Sequence, residues 1–196
     1  MPAGTDHPSV QRVLDAAARK GVTIEVVTFD ESTHTALEAA AAVGAELGQI
    51  VKSLVFVVPA RTGLEPILCL VAGHNRVDIA RLAAVTQAPD IRRATAKEAR
   101  ELTGFSIGGI PPIGFERPMR VIMDPDLGRY PEVWAAAGLE TTVFAVPPGT
   151  LRILADATVV PIADEANAAA SPSIEAPAAA VAAASGDAGA ESSGRA

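Results

Sequence analysis

The chain has 196 residues and a mass of 20.0 kDa, 49% of its residues are hydrophobic, and its formal net charge is −7. A single Cys excludes a disulfide framework, and no Cys/His cluster has the spacing of zinc ligands. The N-terminus lacks the pattern of a signal peptide, and no apolar run approaches the roughly 18 residues of a membrane span. These features predict one domain plus an extra segment, in the reducing cytoplasm and away from membranes.

Charge is unevenly distributed along the chain. Residues 52–120 carry a net charge of +4, whereas residues 1–51, 121–163 and 164–196 carry −4, −3 and −4. This balance argues against a broad groove that follows nucleic-acid phosphates, but it allows a small anionic or nucleotide-sized ligand. The alternative is that these Arg and Lys side chains are ordinary solvated surface.

The patterns of helix and strand alternate through residues 1–164. Pro8 and the 3.6-residue period of the apolar residues after it predict a first helix, which ends before Gly21. A strand over 23–29, a helix over 35–43 and a strongly apolar strand over 50–58 follow. The turn Arg61-Thr62-Gly63 and a strand over 66–72 complete a predicted antiparallel hairpin.

The second half of this region begins with two predicted helices, over 78–85 and 95–103, of which the second carries a capping box at Thr95 and Glu98. Residues 104–118 form a predicted loop. The remaining predicted elements are strands over 119–124, 132–136, 141–146 and 158–161, and a short helix over 148–154. This order predicts an α+β fold with a mixed, partly rolled, barrel-like β-sheet surrounded by helices.

Residues 165–196 are rich in Ala, Ser and Pro, with 14 Ala in the 31 residues from Ala166. Such a segment buries too little apolar surface to offset its ordering entropy. The sequence therefore predicts a folded domain over residues 1–164 and a disordered tail over residues 165–196.

The segment from Gly104 to Gly114, GFSIGGIPPIG, has four Gly and two Pro in eleven residues. A loop of this composition can direct backbone N–H groups at one point, as an anion or oxyanion site requires. A structural crossover loop is the alternative. The match of residues 104–108 to G-x-S-x-G does not indicate a serine hydrolase, because a helix precedes Ser106 and all three His residues come before it.

Lys52 interrupts the apolar strand at residues 50–58. A Lys at such a position either extends its ammonium group to solvent at a sheet edge or directs it into a pocket, where it can hold a phosphate or a carbonyl. His34, in the polar loop before the second helix, is a candidate pocket residue or an ordinary residue near a helix terminus. The scattered acidic residues predict no metal site and no cofactor.

Three segments together resemble the YbaK-type aminoacyl-tRNA deacylases, a family related to the editing insertion domain of bacterial prolyl-tRNA synthetases. They are Val51-Lys52-Ser53-Leu54, the segment AGHNRVD from Ala72 to Asp78, and above all the segment TGFSIGGIPPIG from Thr103 to Gly114. The resemblance covers residues 7–164. It implies the barrel-like fold of that family and hydrolysis of the ester that joins a wrong amino acid to the 3′-terminal adenosine of a tRNA.

The resemblance also implies roles for individual residues. Lys52 corresponds to the family's pocket lysine, and the amide groups of the Gly-rich loop lie near the ester and stabilise the developing oxyanion. In this family, help with general-base catalysis comes largely from the substrate. The catalytic candidates are Lys52, Gly108, Gly109 and Ile110. The substrate-binding candidates are Phe29, His34, Thr35, Ser53, Gly104, Pro111, Pro112 and Thr141.

Two departures from the family pattern bear on specificity. Pro111 stands where the family often has Ser, and Glu140-Thr141-Thr142 stands where many members have Asp or His. The predicted function is trans-editing hydrolysis of mischarged tRNA, of the Cys- or Ala-tRNA(Pro) type, with a synthetase as a possible second partner. The alternative is a non-catalytic binding module of the same fold that recognises a nucleotide, the aminoacyl end of a tRNA or a synthetase.

Overall fold

The computed structural model describes residues 4–29 and 35–164, so His34 and the predicted tail at 165–196 lie outside the described residues. Two short 3₁₀ helices cover Leu47–Gln49 and Pro125–Arg129. The α-helices are α1 (Pro8–Arg19), α2 (Ala36–Val43), α3 (Ile79–Thr86), α4 (Ala96–Thr103) and α5 (Pro148–Leu154).

The strands form two sheets that do not close into a barrel. One has three strands in the order β1-β7-β6, and the other has five in the order β4-β2-β3-β5-β8. The five-stranded sheet is mixed, because β2 is antiparallel to β3 and β4 whereas β5 is parallel to β3 and β8. The strands are β1 (Val26–Thr28), β2 (Val51–Ala60), β3 (Gly63–Ala72), β4 (Arg92–Arg93), β5 (Arg120–Met123), β6 (Val133–Ala136), β7 (Thr142–Val146) and β8 (Thr158–Val159).

Side chains at the helix N-termini fix where the helices begin. The hydroxyl groups of Thr35 and Thr95 accept from the N–H groups of Glu38 and Glu98, and each Glu reaches back to the N–H of its Thr. Asp78 caps α3 by accepting from the N–H groups of Ala80 and Arg81, at 2.8 and 3.1 Å. These contacts satisfy N–H groups that a helix cannot pair internally.

The core lies on both faces of the five-stranded sheet. Val51 and Val55 of β2 belong to the larger cluster, which α1, α5 and the three-stranded sheet complete. Phe56 faces the opposite way and packs with Leu82 of α3 in a smaller cluster. The period of two along β2 therefore separates two buried faces, which explains its nearly continuous apolar sequence.

The structure confirms the predicted α+β fold, the mixed sheet and the hairpin of β2 and β3. It differs from the prediction at β1, which has three residues rather than seven, and at β4, which the sequence did not indicate. Among the described residues, no helix is long and apolar enough to cross a bilayer.

Candidate functional site

A cavity of about 220 Å³ opens where the first half of β2 meets α2, the three-stranded sheet and the Gly-rich loop. Most of its lining is apolar, from Ile50, Val55, Ala99, Ala136 and Val143 among others. Its polar and charged lining comes from Thr35, Lys52, Ser53, Arg93, Glu140 and Thr142. The predicted elements 50–58 and 104–118, which are distant in sequence, thus share one cavity.

Lys52 is held in this cavity by a buried turn. Its ammonium group donates to the backbone carbonyl of Asn75, which has no exposed surface. The side-chain amide of Asn75 donates to Asp126 at 2.8 Å, which anchors the turn. Burial lowers the pKa of Lys52, and the positive charges of Arg93 and Arg76 lower it further. Lys52 is therefore a positioned, partly desolvated cation rather than a solvated surface lysine.

The Gly-rich loop packs tightly against residues 139–140. Gly108 has a φ of +90°, and a Cβ there would lie 2.8 Å from Cγ of Glu140. A Cβ at Gly109 would lie 2.8 Å from the backbone of Leu139. The second contact is with main-chain atoms, which cannot move aside as a flexible side chain can. The two glycines therefore allow the loop to approach the three-stranded sheet closely.

The backbone amides of this loop are not equivalent. The N–H of Gly109 donates to the carbonyl of Ser106 at 3.1 Å and closes a turn. The N–H groups of Gly108 and Ile110 make no backbone hydrogen bond to another described residue, and both residues line the cavity. Among the predicted site residues of the loop, Gly108 and Ile110 therefore offer candidate amide donors for a ligand oxygen, whereas the N–H of Gly109 stabilises the loop itself.

Two hydroxyl groups lie at the apolar part of the cavity. Thr142 donates to the carbonyl of Leu139 and accepts from its N–H, at 3.3 and 3.1 Å, so its hydroxyl holds the chain in a turn. Ser53 Oγ is buried without a hydrogen-bond partner among the described residues. An unpaired buried hydroxyl costs about 1–3 kcal/mol.

The structure brings together five of the predicted site residues in the cavity lining: Thr35, Lys52, Ser53, Gly108 and Ile110. Thr35 is also the N-cap of α2, so its hydroxyl has a structural bond to Glu38.

The other predicted residues that the structure describes lie outside that lining. Gly104 ends α4, Pro111 is buried, and Pro112 lines a second cleft on the other side of the loop. Phe29 donates its N–H to the carbonyl of Thr141 at 2.8 Å, which extends the pairing of β1 with β7.

Sequence reasoning missed Arg93 as a lining residue. Strand β4 has two residues, and only its pairing with Phe56 and Val57 brings Arg93 to the cavity. The available signal was the charged pair Arg92-Arg93 directly after buried Ile91. Glu140 and Thr142, which flank Thr141 in the segment that departs from the family pattern, lie in the cavity lining.

Ser106 is not arranged as a nucleophile. Its hydroxyl accepts from Arg100 at 2.7 Å, and the residue is exposed at the outside of the loop. Within residues 4–29 and 35–164, no group of three or more His, Cys, Asp or Glu side chains converges as a metal site would require. Cys69 is buried in β3, where desolvation raises its pKa to about 12 and leaves it an inert thiol.

Comparison with known proteins identifies the family to which this chain belongs. The family model of the aminoacyl-tRNA editing domain matches residues 30–154. The multifunctional Ser/Thr-tRNA deacylase ProXp-y of Escherichia coli is 31% identical over 149 residues, which cover 73% of this chain and 86% of that protein. The chain belongs to the aminoacyl-tRNA editing family and is of the YbaK type.

Further relatives extend the comparison. The proline–tRNA ligase of Limosilactobacillus fermentum is 28% identical over 95 residues, which cover 48% of this chain and 17% of that protein. The crystal structure of a proposed trans-editing enzyme for prolyl-tRNA synthetase superposes with a TM-score of 0.73 and 46% identity, covering 81% of this chain and 98% of that one. The chain is an aminoacyl-tRNA hydrolase of the trans-editing class.

Proposed function

We propose that this hydrolase acts on tRNA(Pro) that carries the wrong amino acid, with Cys or Ala as the amino acid removed. The observation that carries the proposal is a small, mostly apolar cavity lined by Lys52 and by Gly108 and Ile110, whose N–H groups have no backbone hydrogen-bond partner among the described residues. Its volume of about 220 Å³ is below the about 300–1,000 Å³ of pockets for drug-sized ligands. A small aminoacyl group and the adjoining end of the terminal nucleotide suit that space, while the body of the tRNA stays outside.

The mechanism follows from the groups that face the cavity. Water attacks the ester carbonyl carbon, and the two free amides of the Gly-rich loop donate to the oxygen as it becomes negative. Lys52, held by Asn75, positions the nucleotide end of the substrate by its charge. The carbon–oxygen bond to the ribose then breaks, and the ribose oxygen takes a proton as it leaves.

Size is the basis of discrimination in this proposal. Val51, Val55 and Val143 are branched side chains on strands, so the wall is stiff. An extra methylene is worth about 1–3 kcal/mol in such a pocket. Larger or cyclic aminoacyl groups, prolyl included, are therefore expected to react more slowly than small ones.

The test is multiple-turnover hydrolysis with catalytic amounts of the full chain. The substrates are Cys-, Ala-, Ser- and Thr-tRNA(Pro), with Pro-tRNA(Pro) as the correctly charged control. Lys52→Ala is the control variant. Hydrolysis of Cys- or Ala-tRNA(Pro) by the wild-type chain, but not by Lys52→Ala, confirms the proposal. Preferential hydrolysis of Ser- or Thr-tRNA(Pro) would show that the chain is a deacylase but would refute Cys or Ala as the amino acid removed. No hydrolysis above the buffer rate would favour a binding module.

A further inference from the structure

The cavity reaches both faces of β2, at a part of the strand whose outer edge is not paired with another described strand. The carbonyl of Val55 accepts from the N–H of Ala94 at 2.9 Å, so this edge is covered where β4 pairs with Phe56 and Val57. Between that pairing and the bridge from Ile50 to Trp134, no described strand pairs with this edge. Residues 51–55 therefore present both faces of the strand to one cavity.

The two faces of this edge differ in chemistry. Val51, Ser53 and Val55 point to the larger core, and the apolar lining continues from them. Lys52 and Leu54 point to the opposite face, as the period of two along a strand requires. Arg93 lies directly opposite Phe56 in the register, so its side chain is on the Lys52 face as well. The cavity thus has an apolar side and a cationic side, separated by the strand.

Within the part of the chain that the structure describes, neither Lys52 nor Arg93 forms an ion pair with a carboxylate. Arg92 of β4 binds Glu98 through both of its terminal nitrogens, at 2.9 and 2.7 Å. Arg93 makes no ion pair with a carboxylate of the described residues, although it lies next to Arg92. Arg93 and Arg76 are also close enough to Lys52 to lower the pKa of its ammonium group. Among the described residues, Lys52 and Arg93 line the cavity together with one carboxylate, that of Glu140, and this excess of positive charge favours an anionic ligand.

We propose that Arg93 is a substrate-binding residue that, together with Lys52, takes the phosphate on the 5′ oxygen of the tRNA's terminal adenosine. The aminoacyl group then lies on the apolar side of the β2 edge. A guanidinium group donates two parallel hydrogen bonds to a phosphate, which fixes its orientation as well as its position. This inference rests on the proposed function, because it assigns a second part of the same substrate to the same cavity.

The test compares two minimal substrates that differ only in that phosphate. They are the 3′-aminoacyl ester of adenosine and the 3′-aminoacyl ester of adenosine 5′-monophosphate, with the amino acid that the tRNA panel identifies. The variant is Arg93→Gln. The matched control is Arg92→Gln, which changes the same residue type on the same strand. Because Arg93 is exposed, the fold is expected to survive, and the midpoint of thermal unfolding checks this.

Arg93→Gln is expected to lower kcat/KM for the phosphate-bearing ester by 10- to 100-fold, mainly through KM, and for the nucleoside ester by less than twofold. Arg92→Gln should leave the ratio of the two values unchanged. With mischarged tRNA, Arg93→Gln should also reduce the dependence of log KM on log salt by about 0.7–1, the slope of one phosphate contact.

Each other outcome overturns the inference. Equal losses on both esters would show that Arg93 has a structural role, and no loss on either ester would show that it does not contact the phosphate. In both cases hydrolysis by the wild-type chain would keep the proposed function intact. If the small esters are not hydrolysed, the salt dependence of KM with mischarged tRNA is the test. A slope that Arg93→Gln leaves unchanged would overturn the inference. If neither the esters nor any mischarged tRNA is hydrolysed, the proposed function fails and this inference fails with it.

Discussion

The guanidinium carbon of Arg12 lies 4.1 Å from the ring centroid of Phe105. Arg12 also donates to the carbonyl of Gly104 at 3.0 Å, and Phe105 packs edge-to-face against Phe115 at a centroid distance of 6.1 Å. Phe105 is 2% exposed, so the start of the Gly-rich loop is fixed between α1 and the core. One side chain of α1 therefore connects the first helix to the loop whose amides face the cavity.

Arg12→Met is expected to reduce kcat by several-fold with little change in KM. The substitution removes the cation–π contact and the bond to Gly104, which together are worth about 1–3 kcal/mol, so the loop amides lose their fixed position. The matched control is Arg19→Met, seven residues further along α1, whose side chain forms no hydrogen bond, ion pair or ring contact with a described residue. Steady-state kinetics of both variants test this. Equal kinetics in the two variants would show that Arg12 does not position the loop.

Lys52→Met should abolish hydrolysis without destabilising the fold. Burial and two nearby cations lower the pKa of Lys52, so the charged form costs free energy in the folded state. Between this lowered pKa and the ordinary Lys value, the unfolded chain binds more protons, and the stability of the wild type rises with pH. The variant should lack that rise. Thermal unfolding between pH 7 and 10 measures it, and a lower unfolding midpoint for Lys52→Met at pH 7 would contradict the argument.

Gly109→Ala is expected to destabilise the chain more than Gly108→Ala, although only Gly108 has a positive φ. At Gly109 the new methyl group meets the backbone of Leu139, whereas at Gly108 it meets the flexible side chain of Glu140. Overpacking of a rigid site costs about 1–3 kcal/mol, and the αL strain at Gly108 costs about 1 kcal/mol. Gly128→Ala, with no atom within 4 Å of the new Cβ, is the control. Urea unfolding gives the free energy of unfolding of the three variants. Equal losses of that free energy in Gly108→Ala and Gly109→Ala would refute the prediction.

The sequence predicts much of this structure because its signals are local. Thr95 and Glu98 predict the start of α4, and the Gly and Pro residues of segment 104–114 predict a loop with an unusual backbone conformation. The two-residue strand β4 has no such signal, since its pairing with β2 is purely tertiary. For the same reason Arg93 could not be placed at the cavity, whereas Lys52, inside a long apolar strand, could.

The sequence also does not determine which of Thr141 and Thr142 lines the cavity. A shift of one residue in the start of β7 exchanges the two faces of the strand, and composition cannot decide between them. In the structure, the turn that Leu139 and Thr142 close sets the register, and the N–H of Ala137 donates to the carbonyl of Thr142 at 2.9 Å. That turn places Thr142 at the cavity and Thr141 beside Phe29.

Glu140→Gln tests whether a side chain of the protein serves as general base. Glu140 contributes the carboxylate of the described cavity lining, and its Cγ lies against Gly108. If the substrate itself assists the attacking water, the variant should lose less than about tenfold in kcat, because Gln keeps the shape of the side chain and only its negative charge is removed. A general base contributes about 10²–10⁴-fold. A loss in that range, with an acidic limb removed from the pH–rate profile, would assign the base to Glu140 and contradict the substrate-assisted mechanism.

Glu98 makes the stability of the chain depend on pH in the acidic range. Its hydrogen bonds to Arg92 and to the N–H of Thr95 lower its pKa to about 2. A carboxyl group whose pKa is lower in the folded state stabilises the fold above its unfolded value, about 4.3, and that contribution is lost as pH falls toward 2. Glu98→Gln keeps a capping side chain but removes the charge. Its thermal midpoint should lie below that of the wild type at pH 6 and approach it at pH 2, whereas a constant difference across this range would show that the charge of Glu98 is not the cause.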